Sequence, residues 1–585
     1  MTPDAAAYPE LFNDVFGPVM QPGSSSHTAA PCRLGCLAGD LLGEPPAGIR
    51  IQLDERGSFA GTFGVMSEDR AMVAGVLGLG PDDVGLFRAF ELAAEAGVAV
   101  AFEFTNLAES AHPNAMKFVL TGRSGRTVTL VGTSTGGGMV ETLVVDGFPL
   151  RAIGDAYVVL VFEADPALAS DPAVASDAAV ASDPAVASDA AVASDPAVAS
   201  DPAVASDAAL VARLAAPLPG LVATATVAAA GRGRLHAFSL AAEPDERALS
   251  TTLAAAGPTA RLAVLRPVLP VLRRAARAPQ LFDTMTRWRE IAEQRGETLW
   301  ETALQYEIDA SGWSRDEIVA TMARLAALMH RQTHAAYDED VVVPASPFKP
   351  DFTAPWARHV ASGRSLTGGV VAETIKLAYG AGAGIPGVET VPGPMGGGGG
   401  YLYAALAAVR EARGLSDDDL LHGLLVAGGV GAIAFSRTEP TGEVIGCTGE
   451  AGVCGAMAAA GIAAMVGATP RQTEDAASLA LQAFTGMPCD PIPGGLCQPC
   501  RSRILAATCT AHVFADLALA GHAAVLPFHE ALDAADAIGR ALPVDLLCTS
   551  RGGACATPTA ARQRAAFAEW LRDVPPERRP PGNLI

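Results

Sequence analysis

The sequence predicts a multidomain chain, α/β in its first half and mainly α in its second. Three observations carry this. Up to residue 147, several glycine-marked turns punctuate one folded unit. From Ala156 to Glu163 apolar residues alternate as in a strand, and Leu221–Ala228 and Leu235–Ala241 repeat the pattern before a helical stretch, Glu246–Ala255. From about Pro279 to Trp570, helix-start signals precede alanine-rich apolar runs. With 585 residues, half of them apolar, the chain has enough material for three or four domains and a substantial core. The expected division is 1–147, 148–275 and 276–585.

The middle unit is interrupted. Between residues 164 and 210 a six-residue unit, Ser-Asp-Pro/Ala-Ala-Val-Ala, recurs and places Asp at 165, 171, 177, 183, 189, 195, 201 and 207. Period six matches neither a helix face nor strand alternation, and its prolines remove backbone donors. A solvated, disordered or extended tract is therefore expected. In the third unit, Ser314-Arg315-Asp316-Glu317 and Thr469-Pro470-Arg471-Gln472 read as capping boxes. Ser416 is followed by three aspartates that suit a helix N-terminus.

The net charge of −22 argues against nucleic acid or a membrane surface as partner, since phosphate binding is driven by clustered Lys and Arg. Eight of those charges lie in the repeat, so acidity says little about the rest of the chain. A small-molecule substrate is expected. The first twenty residues lack a cationic start followed by an apolar stretch, and no uninterrupted apolar run reaches 18 residues, so a cytosolic location is expected. Ten cysteines in so long a chain do not form a disulfide framework.

Three of them stand out. Cys447 precedes the apolar run Val453–Val466, Cys489 follows Ala476–Phe484, and Cys500 precedes the run beginning at Ile504. Cys447 and Cys500 thus fall near helix N-termini, where free backbone N–H groups favour a thiolate. Thiolates are the ligands that iron–sulfur clusters require. Packing is the alternative, because cysteine is among the most buried residue types and the simplest metal-site spacings are absent.

At the other end, Ser24-Ser25-Ser26-His27-Thr28 packs four hydroxyls and an imidazole after a Pro-Gly turn. Such a stretch can hold a carboxylate, and histidine is the usual general base near neutral pH. It also reads as a polar turn with an N-capping serine.

Longer stretches of sequence bear on both alternatives. Gly446-Cys447-Thr448-Gly449-Glu450-Ala451-Gly452-Val453, Cys489-Asp490-Pro491 and Gln498-Pro499-Cys500, with intervals of 42 and 11 residues between the thiols, resemble the cluster segment of bacterial iron–sulfur L-serine dehydratases. Gly17-Pro18-Val19-Met20, Ser24–Thr28, Gly57-Ser58-Phe59-Ala60, His112-Pro113-Asn114 and Thr135-Gly136-Gly137-Gly138-Met139 resemble the β region of the same family, in the same order. The segment around the repeat is similar to the ACT-type regulatory module of single-chain relatives, with the insert in the first strand–helix connection, where such modules bind effectors.

The resemblance implies a fused β-plus-α lyase, homodimeric by family analogy. It would convert L-serine to pyruvate and ammonia with a [4Fe-4S] cluster on Cys447, Cys489 and Cys500. The iron left without a thiolate would act as Lewis acid on the hydroxyl. His27 is the first choice of base, with His112 beside it. Ser24, Ser25, Ser26, Thr28 and Asn114 would bind the substrate. Pyridoxal phosphate is not implied, since Lys349 and Lys376 are the only lysines after residue 279.

Some stretches depart from the family pattern. Gly64–Asp69 replaces a segment with a histidine, Gly396–Gly400 is a run of five glycines, Ser436–Glu443 introduces Arg437, and Cys548 replaces a glutamate. The glycine run reads as a floppy or closely approached backbone, and Arg437 either as a reader of a second carboxylate or as a surface charge. Cys454 and Cys497 are expected to be packing residues. The alternatives are a lyase for another β-substituted amino acid, a non-catalytic iron–sulfur descendant, and a thiol redox protein using the Cys-Gln-Pro-Cys pair.

Overall fold

In the computed structural model the described residues are 8–163, 220–229, 232–256, 260–274, 278–393, 398–494 and 498–580, with 212, 215 and 218. The repeat at 164–210 and Cys497 lie outside them.

Residues 46–149 form a six-stranded sheet in the order β2-β1-β3-β4-β5-β6. Its strands are β1 (Pro46–Asp54), β2 (Ala99–Thr105), β3 (Ala115–Gly122), β4 (Thr127–Gly136), β5 (Met139–Val145) and β6 (Phe148–Pro149). β1 runs parallel to β2 and antiparallel to β3, and the remaining neighbours are antiparallel. Along β1 the pleat turns Ile49, Ile51 and Leu53 to the buried face. The helix Ala30–Leu42 covers that face and crosses the helix Glu68–Val76. Only glycine permits the crossing: a Cβ on Gly75 would lie 1.9 Å from the Cys32 carbonyl oxygen.

A second sheet is antiparallel throughout, in the order β10-β7-β9-β8. It comprises β7 (Tyr157–Glu163), β8 (Leu221–Ala229), β9 (Gly233–Leu240) and β10 (Ala260–Leu265), with the helix Glu246–Ala256 between β9 and β10. The first three strands and the helix match the expected pattern to within two residues. β10 was not expected.

The rest is helical. At its centre the alanine-rich helix Val453–Met465 is buried almost end to end and packs against Asp417–Arg437, Pro470–Ala483, Cys500–Leu519 and Gly398–Arg413. Small residues allow the approach, as where a Cβ on Gly461 would come within 2.8 Å of the Gly423 carbonyl oxygen. Capping boxes start the helices after Ser314 and Thr469, as the sequence suggests; Ser416 starts its helix as expected, through a box with Asp419, and a further box starts the helix after Thr298. Two stretches, Asp417–Arg437 and Thr448–Met465, are long and apolar enough to cross a membrane. Their apolar windows are 72% and 89% buried inside the protein, as core helices are.

The N-terminal segment ties the two halves together. Tyr8, Leu11, Phe12, Val15 and Phe16 insert into the helical core beside Trp288 and Tyr306. Met20 and Thr390 then exchange backbone hydrogen bonds of 3.0 and 2.7 Å. The next residues, Ser24–Thr28, are therefore held against the helical domain.

Candidate active site

Ser24 caps a wide turn, Ser25–Ala29, that runs straight into the helix Ala30–Leu42; its Oγ accepts from the His27 N–H at 3.3 Å. Thr28 has no free hydroxyl, because its Oγ1 donates to the Met66 carbonyl and accepts from the Ser24 N–H. The capping reading of this stretch is correct for those two residues. Ser25, Ser26 and His27 are buried.

His27 is the connecting group. The Ser26 hydroxyl lies 2.8 Å from its Nδ1 and donates to Oε1 of Glu443, in the helical domain, at 3.2 Å. With that hydroxyl proton on Glu443, Ser26 Oγ accepts from an Nδ1–H, and the Nε2 lone pair is left free. His27 Nε2 and Glu443 Oε2 are both buried without a hydrogen-bond partner. Burial pushes the His27 pKa below its ordinary value, against the opposing pull of Glu443, so the ring is neutral near pH 7.

His112 is placed differently. Its Nδ1 meets Thr133 Oγ1 at 2.6 Å and accepts from the Asn114 N–H at 3.1 Å, so its proton sits on Nε2, 3.2 Å from Glu439 Oε1. Both ring nitrogens are engaged. Asn114 accepts from the Ser58 hydroxyl through Oδ1, while its Nδ2, like Ser134 Oγ and Thr441 Oγ1, is buried and unpartnered. These atoms belong to segments that meet where the two domains touch. The glycine turn after β4 makes the contact close: a Cβ on Gly136 would collide with Thr441.

The three cysteines come from three segments. Cys447 precedes the turn Thr448–Gly452, Cys489 lies in an extended stretch, and Cys500 opens the helix Cys500–Leu519. Thr448 joins the first two segments, donating to the Phe484 carbonyl at 2.9 Å and accepting from the Met487 N–H at 3.0 Å. The three thiols are electrostatic neighbours, Cys447 raising the pKa of Cys500 and Cys500 that of Cys489. Arg503 is the nearby cation; its Nη1 is 2.7 Å from Asp490.

One expectation needs correcting. Helix N-termini do not leave these thiols ionised, because burial outweighs the dipole. Burial pushes Cys447 up to about 12 and Cys500 well above its ordinary value, and a hydrogen bond with Cys548 together with burial does the same to Cys489. Such a pocket holds thiolates only in company with positive charge. A soft cationic cluster fits that requirement and the donor set.

Cys454 points away, toward the Gly398 carbonyl, with burial alone raising it to about 12, so it is a packing residue as expected. Arg437 forms a two-point pair with Asp533, its Nε 2.8 Å from Oδ1, rather than facing the site. Gly398–Gly400 form the first turn of a helix pressed on Val391 and Gln332, which is the close-approach reading of the glycine run.

Residues 289–554 match the family model described as serine dehydratase alpha chain. The chain is 32% identical over 202 residues to the probable L-serine dehydratase alpha chain of Bacillus subtilis (strain 168), covering 34% of this chain and 67% of the relative. It is 36% identical over 148 residues to the L-serine dehydratase beta chain of Peptoniphilus asaccharolyticus, covering 25% and 66%. It is 27% identical over 279 residues to the alpha chain of that organism, covering 48% and 95%. The chain belongs to the L-serine dehydratase family. It joins in one polypeptide β-chain-like and α-chain-like regions, and Ser26–His27 and Glu443 are where the two meet. Members of this ammonia-lyase family are enzymes.

Sequence reasoning did not single out Glu443, Arg503 or Thr441. Glu443 stands four residues before Cys447, but a lone acidic residue gives no signal until the fold sets it against His27.

Proposed function

We propose that this chain dehydrates and deaminates L-serine to pyruvate and ammonia with a [4Fe-4S] cluster held by Cys447, Cys489 and Cys500. The observation that carries this reading is the free Nε2 of a neutral, buried His27, whose ring one domain presents beside Glu443 and Cys548 of the other. When bound, the cluster would supply a Lewis acid for the substrate hydroxyl, a poor leaving group by itself.

The protein's own groups do the rest. His27 Nε2 takes the α-proton, and Ser26 and Glu443 fix the ring and stabilise the imidazolium that results. The electron pair of the broken C–H bond forms the Cα=Cβ double bond as hydroxide leaves. The enamine tautomerises and is hydrolysed to pyruvate and ammonia. Ser25 and the unpartnered Asn114 Nδ2 are donors available to a carboxylate, with Ser24 and Thr28 shaping the turn that presents Ser25. His112, engaged through both nitrogens, positions Asn114.

The amino acid is the small-molecule partner, the protein acts in the cytoplasm, and the homodimer is expected by analogy. Residues 148–275 act as an ACT-like module. Its support is the strand order β10-β7-β9-β8, which places the last strand beside the first and the second at the edge, as in a ferredoxin-like fold. Of the features that suggested a different substrate, Arg437 and Gly398–Gly400 have other engagements, and Gly396 and Gly397 lie outside the described residues.

The test is anaerobic purification followed by absorbance and pyruvate assays. Iron–sulfur absorbance that L-serine perturbs, with pyruvate release, is expected. Absorbance without keto acid from L-serine, D-serine, L-threonine or L-cysteine would sink the lyase reading, and keto acid from another of these alone would reassign the substrate.

A further inference from the structure

Two histidines that the reaction does not use stand one turn apart at the end of a helix. The helix Arg315–His334 carries His330 and His334 in its last turns, and their rings lie face to face, centroids 4.0 Å apart with 28° between the planes. Four-residue spacing puts both side chains on one face of the helix. That face is at the surface, His330 exposed and His334 half-buried.

Their hydrogen bonds decide which nitrogens are available. His334 Nδ1 is 2.8 Å from the His330 carbonyl oxygen, which can only accept, so the proton of the neutral ring sits on Nδ1 and the lone pair on Nε2. Thr333 Oγ1, 2.9 Å from the same nitrogen, directs its own proton at the Met329 and His330 carbonyls and accepts as well. His330 Nδ1 is 3.2 Å from Tyr403 Oη, a hydroxyl able to accept from an Nδ1–H. Each ring is anchored through Nδ1, and among the described residues neither Nε2 has a hydrogen-bond partner. A metal-ligating histidine is oriented in the same way, its second nitrogen held by a carbonyl or another fixed acceptor.

The setting also suits a cation. The last carbonyls of a helix carry partial negative charge. Burial and the neighbouring His334 hold His330 below its ordinary value, so its ring is neutral near pH 7 and free to ligate. Arg410, whose charge acts in the same direction, is paired with Asp417.

We propose that His330 and His334 together bind one late first-row divalent ion, of the class of Ni²⁺, Cu²⁺ and Zn²⁺, through their two Nε2 atoms, with water in the remaining positions. Imidazole is the donor these ions favour, and two donors on consecutive turns chelate an ion that a single surface histidine holds weakly. None of the residues assigned to the reaction takes part, so the inference stands whether or not the cysteines hold a cluster.

The test uses the full chain reconstituted anaerobically with iron and sulfide, freed of excess iron, and Ni²⁺ as the probe. Equilibrium dialysis compares wild type with H330N, H334N and the double variant. Each variant is expected to bind one Ni²⁺ per chain fewer than wild type. Equal uptake by wild type and the double variant would overturn the proposal, and so would a loss confined to one single variant, since that marks a lone histidine rather than a chelate. A second measurement needs wild type only: diethyl pyrocarbonate labels accessible neutral imidazoles, and mass spectrometry locates the label. Ni²⁺ is expected to suppress labelling of His330 and His334 together while the exposed His359 and His522 stay reactive. Labelling of the pair that saturating Ni²⁺ leaves unchanged would overturn the proposal even if the variants failed to fold.

Discussion

Ser26 Oγ reaches Glu443 Oε1 at 3.2 Å across 417 residues of sequence, and this bond sets the tautomer of His27 beside them. A serine in the first domain and a carboxylate in the second together orient one imidazole.

The pH dependence follows. Burial lowers the His27 pKa and Glu443 raises it, with burial the larger effect. The acid limb of kcat/KM is expected below pH 6.5, the ordinary histidine value. Glu443→Gln removes the raising contribution, so the limb moves to still lower pH while kcat falls on the order of 10²-fold through loss of the orienting pair. A pH profile of both proteins measures this. A limb that moves upward in the variant would show that Glu443 does not act on His27.

Replacing the two histidines should separate their roles. His27→Ala is expected to abolish turnover by roughly 10²–10⁴-fold, the usual contribution of a general base. His112→Ala, which frees Thr133, Glu439 and the Asn114 N–H, should raise KM more than it lowers kcat. Steady-state kinetics with L-serine distinguishes the two patterns.

Arg437 tests the substrate reading. Its guanidinium pairs with Asp533 at a partly exposed position, so Arg437→Ala should cost less than about 1 kcal/mol and leave relative kcat/KM values across the amino-acid panel unchanged. A changed substrate preference would return Arg437 to the site.

The sequence made the helical domain legible because helix starts are local. Ser314, Ser416 and Thr469 each cap the helix they precede, since both partners of a capping box lie within four residues. The cysteine segments stood out through their resemblance to those of the family. Glu443 and Arg503 did not, because their meaning lies in contacts with His27 and Asp490, which only the folded chain supplies. The departures at Arg437 and Gly398–Gly400 looked functional for the same reason. Of their actual partners, Asp533 and Gln332 are remote in sequence, and only Val391 lies within ten residues of the glycine it meets.

Gly446 should prove indispensable to the centre. It has φ 70°, and a Cβ there would meet the Met487 carbonyl oxygen at 2.2 Å, in the segment that carries Cys489. Gly446→Ala must push the Cys447 and Cys489 segments apart. A loss of on the order of 1–3 kcal/mol in stability is expected, together with loss of iron on reconstitution. Full iron content with native stability would show that the two segments have slack.

Acid stability rests in part on His512. Its Nε2 meets Thr374 Oγ1 at 2.9 Å, and since that hydroxyl donates to the Val370 carbonyl, the ring donates from Nε2 and keeps a bare lone pair on a buried, unpartnered Nδ1. Protonation would put a charge where no acceptor faces it, and burial accordingly pushes the pKa down to about 4 against the weaker pull of Asp516. Between pH 4 and 6.5 the unfolded chain, with an ordinary histidine, binds a proton that the folded chain refuses. The contribution is therefore fully present above pH 6.5 and is lost as pH falls toward 4, by on the order of 1–3 kcal/mol. His512→Gln, which can still donate to Thr374 but does not titrate, should flatten the fall in denaturant midpoint over that window. An equally steep fall in the variant would assign the acid sensitivity to other groups.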